Sequence, residues 1–131
     1  MKKLQIEGSW KSPHIVLDPN GNFEIWGRSL PENVIDIYNP VLAWLDAYAK
    51  STAPQTNVEV KLEYFNTSSS KLLYEIFKRF ESMNKAGNTI NVKWYFENDD
   101  ADLEEEGKMF ADLVDVPIEM IAVEEFDFTF Q

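Results

Sequence analysis

Two stretches of the chain alternate between apolar and polar residues. In NVEVKLEY, residues 57–64, Val58, Val60, Leu62 and Tyr64 fall on one side and Glu59, Lys61 and Glu63 on the other. In TINVKWYF, residues 89–96, Ile90, Val92, Trp94 and Phe96 oppose Asn91, Lys93 and Tyr95. A period of two is that of an extended chain with one buried face, so the pattern predicts strands over 57–64 and 90–96. Between them the period changes. Leu72, Leu73, Ile76, Phe77, Phe80 and Met83 recur every three or four residues and form the apolar stripe of a helix over 68–85. Ala86-Gly87-Asn88 stops that helix, because glycine just past the last turn accepts the left-handed backbone that closes it.

The flanking segments complete the outline. LQIEG at 4–8 and PHIVLD at 13–18 are short strand candidates. PNGN at 19–22 is a turn with Asn20-Gly21 at its centre, and FEIWG at 23–27 returns as the second arm of a hairpin. Val41, Leu42, Leu45 and Tyr48 mark a helix over 40–51, with Asn39-Pro40 as cap and first residue after a short turn from Pro31. A further helix is expected over 100–113, and PIEMIAV at 117–123 ends the sheet.

Strands alternating with helices imply parallel crossover units. A parallel strand covered on both faces would be apolar throughout, whereas these two each keep a polar face. Right-handed crossovers leave their helices on one face when the strand order marches in one direction. The expectation is an α/β fold: a single domain over 1–131, with an open sheet, an N-terminal hairpin and helices packed mainly on one face.

Composition adds a core and a charge. The 131 residues suit one domain, and 44% apolar residues with 14% aromatics supply a sizeable interior. The formal net charge of −11 opposes nucleic acid, which needs a positive footprint, and opposes an anionic membrane surface. A partner with a basic groove fits better. The absence of cysteine excludes disulfides, thiolate metal sites and cysteine nucleophiles. MKKLQIEGSW has no apolar run behind its lysines, and no segment reaches the length of a membrane span. A cytoplasmic protein without membrane insertion is expected.

No set of reacting groups stands out. The one histidine, His14, lies in a strand candidate, and the five glycines form no phosphate-binding spacing. The run ENDDADLEEEG carries seven acidic residues among the ten from Glu97 to Glu106. A calcium loop begun at Asp100 would need glycine at its sixth position, where Glu105 stands, so the run is read as an acidic helix start and a solvated face. Neither a metal site nor a cofactor is expected. The tail EEFDFTF alternates Phe126, Phe128 and Phe130, as a final edge strand or an arm packed on the domain would.

One feature exceeds what its local structure needs. Asn66 is followed by four hydroxyl residues, Thr67, Ser68, Ser69 and Ser70, at the seam between a strand and a helix. One or two such side chains suffice to cap a helix. A phosphoryl acceptor is the other reading, since a helix start offers free N–H groups to an anion and Lys71 lies about one turn beyond Thr67.

At these residues the chain resembles the SiaC family of bacterial regulatory phosphoproteins. GRSLPEN, YNPVLAWLDAY, LEYFNTSSSKLL and WYFENDDADLEEEG carry the resemblance, in order and over most of the chain. The NTSS segment is the most specific part. The family is similar to the STAS domain of anti-sigma-factor antagonists, a sheet with helices on one side. The resemblance implies a protein that is not an enzyme. It implies phosphorylation of the NTSS threonine by a GHKL-type kinase and removal of the phosphate by a PP2C-type phosphatase. The unmodified form would activate a diguanylate cyclase, linking the switch to cyclic-di-GMP signalling and biofilm behaviour. Carried over, the acceptor is Thr67, with Ser68 as alternative and Asn66, Ser69 and Lys71 around it. STAS antagonists place their acceptor in an Asp-Ser context, where Asn66-Thr67 stands here. A domain that binds a small ligand or works as an enzyme through its exposed sheet face or acidic run is the competing expectation.

Overall fold

Each strand pairs with the next along the chain. The computed structural model describes residues 1–128. The order is β1 (Leu4–Ile6), β2 (His14–Leu17), β3 (Asn22–Ser29), α1 (Val34–Tyr48), β4 (Gln55–Phe65), α2 (Thr67–Lys85), β5 (Thr89–Glu97), α3 (Ala101–Leu113) and β6 (Ile118–Val123). All six strands form one sheet in the order β1-β2-β3-β4-β5-β6. β1, β2 and β3 pair antiparallel, and β3 to β6 pair parallel. The hairpin closes at Gly21, whose N–H donates to the Asp18 carbonyl at 2.9 Å.

The expected one-sided packing is present. Val58, Val60, Leu62, Ile90, Val92 and Trp94 are all buried, and they share one core with Tyr38, Val41 and Leu45 of α1, Leu73, Phe77 and Phe80 of α2 and Phe110 of α3. The opposite face is only half-buried. There Arg28 pairs with Glu63 at 2.9 Å, and Tyr95 donates to Glu59 at 2.8 Å. His14 belongs to this layer: its ring stacks on Trp26 at 4.5 Å, and its Nδ1 accepts the Gly8 N–H.

Two expectations need correction. The first helix begins at Val34, not Pro40, and Pro40 lies inside it. The cap is Asn33, whose side chain accepts the Asp36 N–H at 3.3 Å. Proline in a helix interior removes the bond to the carbonyl four residues back and crowds it. Here that carbonyl belongs to Asp36, and both Asp36 and Pro40 are exposed, so the carbonyl without a donor lies on the solvent side of the helix. The turn before Pro40 is held by Tyr38, which is fully buried.

The second correction is to the face of Tyr64. Gly27 lies opposite Leu62, but Arg28 lies opposite Tyr64, so Glu63 is an extra residue on β4. An inserted residue inverts the alternation beyond it. Tyr64 therefore turns outward, 51% exposed, and Phe65 turns into the core. Gly27 stands on β3 where the register shifts, and its φ of 104° lies in the left-handed region, which side chains disfavour.

The aromatic tail forms no strand over residues 124–128. It is an arm against the domain. The Phe126 N–H donates to Glu97 at 2.9 Å, Phe126 stacks on Phe128 at 4.9 Å, and Phe128 reaches Trp26 at 5.1 Å. Phe130 lies outside the described residues.

Gly107 of α3 sits over the buried Trp94. A Cβ there would stand 2.5 Å from Trp94 Cδ1 and 2.7 Å from Met120 Cε. Alanine in a helix interior ordinarily gains about 1 kcal/mol over glycine. Overpacking a filled core costs about 1–3 kcal/mol. The indole is buried and tied to the Leu103 carbonyl, so Gly107→Ala should be net destabilising, by up to about 2 kcal/mol. Urea unfolding measures this; a variant as stable as the parent would mean that the indole gives way.

Candidate functional site

The seam after β4 is built from the bulge outward. With Phe65 inside, the chain leaves the sheet at Asn66, which has extended backbone (φ −86°, ψ 175°) and caps α2. Its side chain accepts the Ser69 N–H at 2.8 Å, its carbonyl accepts the Ser70 N–H at 3.0 Å, and its own N–H donates to the Ser29 carbonyl at 3.0 Å. The sheet edge and the helix start are thereby one unit.

The four hydroxyls divide into different environments. Thr67 and Ser68 are exposed, Ser70 is half-buried, and Ser69 is buried. Ser69 Oγ donates to the Ser29 carbonyl at 2.9 Å and accepts the Ser29 hydroxyl at 2.8 Å. The Ser29 proton is thus in use, so the Tyr38 hydroxyl, 2.6 Å away, donates to Ser29. Ser29, Ser69 and Tyr38 form a closed, buried network joining β3, α1 and α2. Ser69, expected near the acceptor, is a structural pin and not an accessible hydroxyl.

That network has a pH signature. Burial pushes the Tyr38 hydroxyl from its ordinary 10.0 up to about 12, although the neighbouring Ser29 and Ser69 hydroxyls act the other way. The folded state keeps the proton between the two values while the unfolded state releases it. Stability from this group is complete below pH 10 and lost as pH rises towards 12. The loss is on the order of 2–3 kcal/mol. Chemical denaturation across this range, compared with Tyr38→Phe, isolates it: the variant should lack that part of the alkaline slope.

Thr67 is the first residue of α2. Ser69 and Ser70 N–H groups are engaged by Asn66, so the helix start has the Thr67 and Ser68 N–H groups left for an anion. Lys71, one turn on, is exposed and makes no ion pair among the described residues.

The sequence did not reveal what faces Thr67. The threonine lines a groove of about 430 Å³ with Glu63, Asp100, Asp102, Glu105 and Glu106. Glu63 is there because of the bulge. The others come from the acidic run, whose Asp100 caps α3 by accepting the Leu103 N–H at 3.1 Å. α2 and α3 start side by side at the carboxyl edge of the sheet, which joins the hydroxyl segment and the acidic run into one site. No three His, Cys, Asp or Glu side chains are grouped to hold a metal ion among the described residues. No helix among them is long and apolar enough to cross a membrane.

Known proteins share this arrangement of strands and helices. SiaC of Pseudomonas aeruginosa is 25% identical, with a TM-score of 0.86 over 94% of this chain and 100% of that one. The SiaC chain in the crystal structure of the P. aeruginosa diguanylate cyclase SiaD with its activator SiaC is 24% identical, with a TM-score of 0.86 over 92% and 99% of the two chains. An uncharacterized protein of P. aeruginosa strain UCBPP-PA14 is 26% identical over 98 residues, 74% of this chain and 78% of its own. The profile of the SiaC family regulatory phosphoproteins matches residues 6–123. The site lies wholly within that match, and the chain belongs to the SiaC family of regulatory phosphoproteins.

Proposed function

We propose that reversible phosphorylation of Thr67 switches the docking of this protein on a diguanylate cyclase, and so adjusts cyclic-di-GMP output and biofilm behaviour. The observation that carries the reading is the sorting of the hydroxyls: Thr67 is exposed on a helix start that buried Ser69 pins in place. A kinase of the GHKL type would transfer the γ-phosphoryl group of ATP. The Thr67 oxygen bonds to phosphorus, ADP leaves, and the hydroxyl proton passes to a base of the kinase. A PP2C-type phosphatase would reverse the state by hydrolysis, releasing inorganic phosphate. The domain is substrate and messenger in this scheme and not a catalyst. The reading implies a cytoplasmic protein, since ATP is the donor.

Two opposed effects act on the modified side chain. The helix start and Lys71 favour an anion there, by about 0.3–1 kcal/mol for the dipole. Against them stand the five carboxylates of the groove, beside a group of about −1.5 to −2 charges. Arg28 pairs with Glu63 and Lys108 lies near Glu105, but Asp100, Asp102 and Glu106 make no ion pair among the described residues, so the modified state is electrostatically loaded. Salt screens such repulsion. The melting temperature of the phosphorylated protein should therefore rise more steeply with salt than that of the unmodified protein. Equal slopes would mean that the phosphoryl group turns away from the groove.

The function itself is tested by titrating both forms against the diguanylate cyclase of the same organism. Binding by the unmodified form and at least ten-fold weaker binding by the phosphorylated form are expected. Equal affinities would overturn the switch, and absence of binding by either would overturn the cyclase as client.

A further inference from the structure

A backbone bond brings Arg28 beside Thr67. The Ser29 carbonyl accepts the Asn66 N–H at 3.0 Å, so Arg28 and Thr67 each stand one residue away from that link between β3 and the start of α2. The Arg28 guanidinium is held on two sides. Its Nη2 donates to Glu63 at 2.9 Å, and its central carbon lies 4.9 Å from the centre of the Trp10 ring. The Trp10 loop is itself fixed: Ser9 Oγ accepts the Lys11 and Ser12 N–H groups at 3.2 Å, and the Leu30 N–H donates to the Lys11 carbonyl at 2.7 Å. Glu63 is common to both residues, because it pairs with Arg28 and lines the groove of Thr67. A guanidinium is a fork of N–H donors, and here Nε and Nη1 make no hydrogen bond among the described residues.

We propose that Arg28 receives the phosphoryl group of phosphorylated Thr67, through the N–H groups that Glu63 leaves open. The inference rests on the phosphorylation of Thr67 proposed above, and it adds the residue that positions the product. Several features select Arg28. Its planar fork matches phosphoryl oxygens in pairs, which an ammonium cannot do. Trp10 and Glu63 already order the side chain, so little freedom is left to lose. Glu63 keeps its own bond when the other donors engage, so no ion pair has to break. The opposite wall repels: Asp100, Asp102 and Glu106 make no ion pair among the described residues, and they drive an anion towards β3. Lys71, one turn along α2, lines a separate hollow with Tyr74, Glu75 and Met109. Arg28 therefore gives the modified threonine one fixed position, at the Glu63 wall of the groove, and ties it to the loop that carries Trp10.

Nitrogen and phosphorus NMR of the full chain test it, with phosphothreonine placed at position 67 during synthesis so that no kinase is needed. The Arg28 Nε–H resonance should move downfield when threonine at 67 is exchanged for phosphothreonine. The last phosphoryl proton should leave at a higher pH once Arg28 is replaced, by at least about half a unit. That comparison sets Glu63→Gln against Glu63→Gln with Arg28→Gln, so that no unpaired carboxylate is created. Both side chains are about one-third exposed, 32% for Arg28 and 35% for Glu63, so these variants keep the fold. Arg28→Lys in the same background should recover only part of the shift, because it keeps the charge and loses the fork. An unmoved Nε–H resonance would overturn the inference, and so would equal phosphorus titrations with and without Arg28. A half-unit rise from Lys71→Gln in place of Arg28→Gln would overturn it as well. The proposed function is decided separately: without the Arg28 contact a switch at Thr67 still stands, and a Thr67 that no kinase labels removes the switch but not the contact.

Discussion

Replacing Thr67 by alanine should abolish phosphorylation and leave the fold nearly untouched. The cap of α2 is Asn66, and it keeps its bonds to Ser69 and Ser70 whatever stands at 67. Thr67 contributes no hydrogen bond of its own to the seam among the described residues, and it is exposed. The stability cost should be well below about 1 kcal/mol, the scale of losing a cap. Asn66→Ala is the contrast: it should cost that much and fray the site. Kinase and ATP followed by peptide mass spectrometry read the outcome. Thr67→Ala should retain the unmodified protein's partner binding. Thr67→Glu should weaken it in part, since one carboxylate among five others is a poor copy of a phosphoryl group. If Thr67→Ala were labelled as fully as its parent, with phosphate at Ser68, the acceptor would be Ser68. Ser69 is not an alternative, because its hydroxyl is buried and engaged in both directions.

Trp94→Ala should be strongly destabilising. Trp94 is 1% exposed at the meeting point of β5, α2 and α3. Its ring lies 6.0 Å from Phe65, 6.2 Å from Phe77 and 5.6 Å from Phe110, and its Nε1 donates to the Leu103 carbonyl at 3.0 Å. Removing so large a buried aromatic costs about 3–5 kcal/mol in lost transfer energy and residual cavity. A domain has about 5–15 kcal/mol in all. For a chain of this size the midpoint should fall by roughly 10–20 °C. Trp94→Phe keeps most of the volume and loses the donor, so a much smaller loss is expected. A cost under about 1 kcal/mol for Trp94→Ala would mean that α3 collapses into the space. The groove beside Thr67, whose far wall is the start of α3, would then change shape.

The strands and the one-sided packing were legible because period-two patterns report burial directly. Position 64 was not, because a bulge leaves no mark in the apolar pattern until the pairing partner is known. The clue was on the other strand, in Gly27. Pro40 misled for a local reason: a proline after asparagine is a strong start signal, yet Asn33, Val34, Ile37, Tyr38 and Val41 already carried the helical spacing upstream. Ser69 could have been found. Extending the stripe of Phe80, Ile76 and Leu73 back by one turn lands on it, so the helical spacing alone marks the position as buried. The acidic neighbours of Thr67 could not, since Glu63 and Glu105 are brought together only by the sheet order.

That sheet order also bears on how the protein is made. Because β1 to β6 stand in the sheet as they stand in the chain, each strand leaving the ribosome finds its neighbour already in place. No strand has to wait for a later one or be threaded between two others. Assembly can run from the hairpin outward, with each helix closing over the pair of strands it connects. The acceptor threonine emerges early in this sequence. The acidic wall that faces it, on α3, arrives only near the end. A nascent chain would therefore present Thr67 with Glu63 but without the carboxylates of the acidic run, and the complete groove would exist only once synthesis has passed α3.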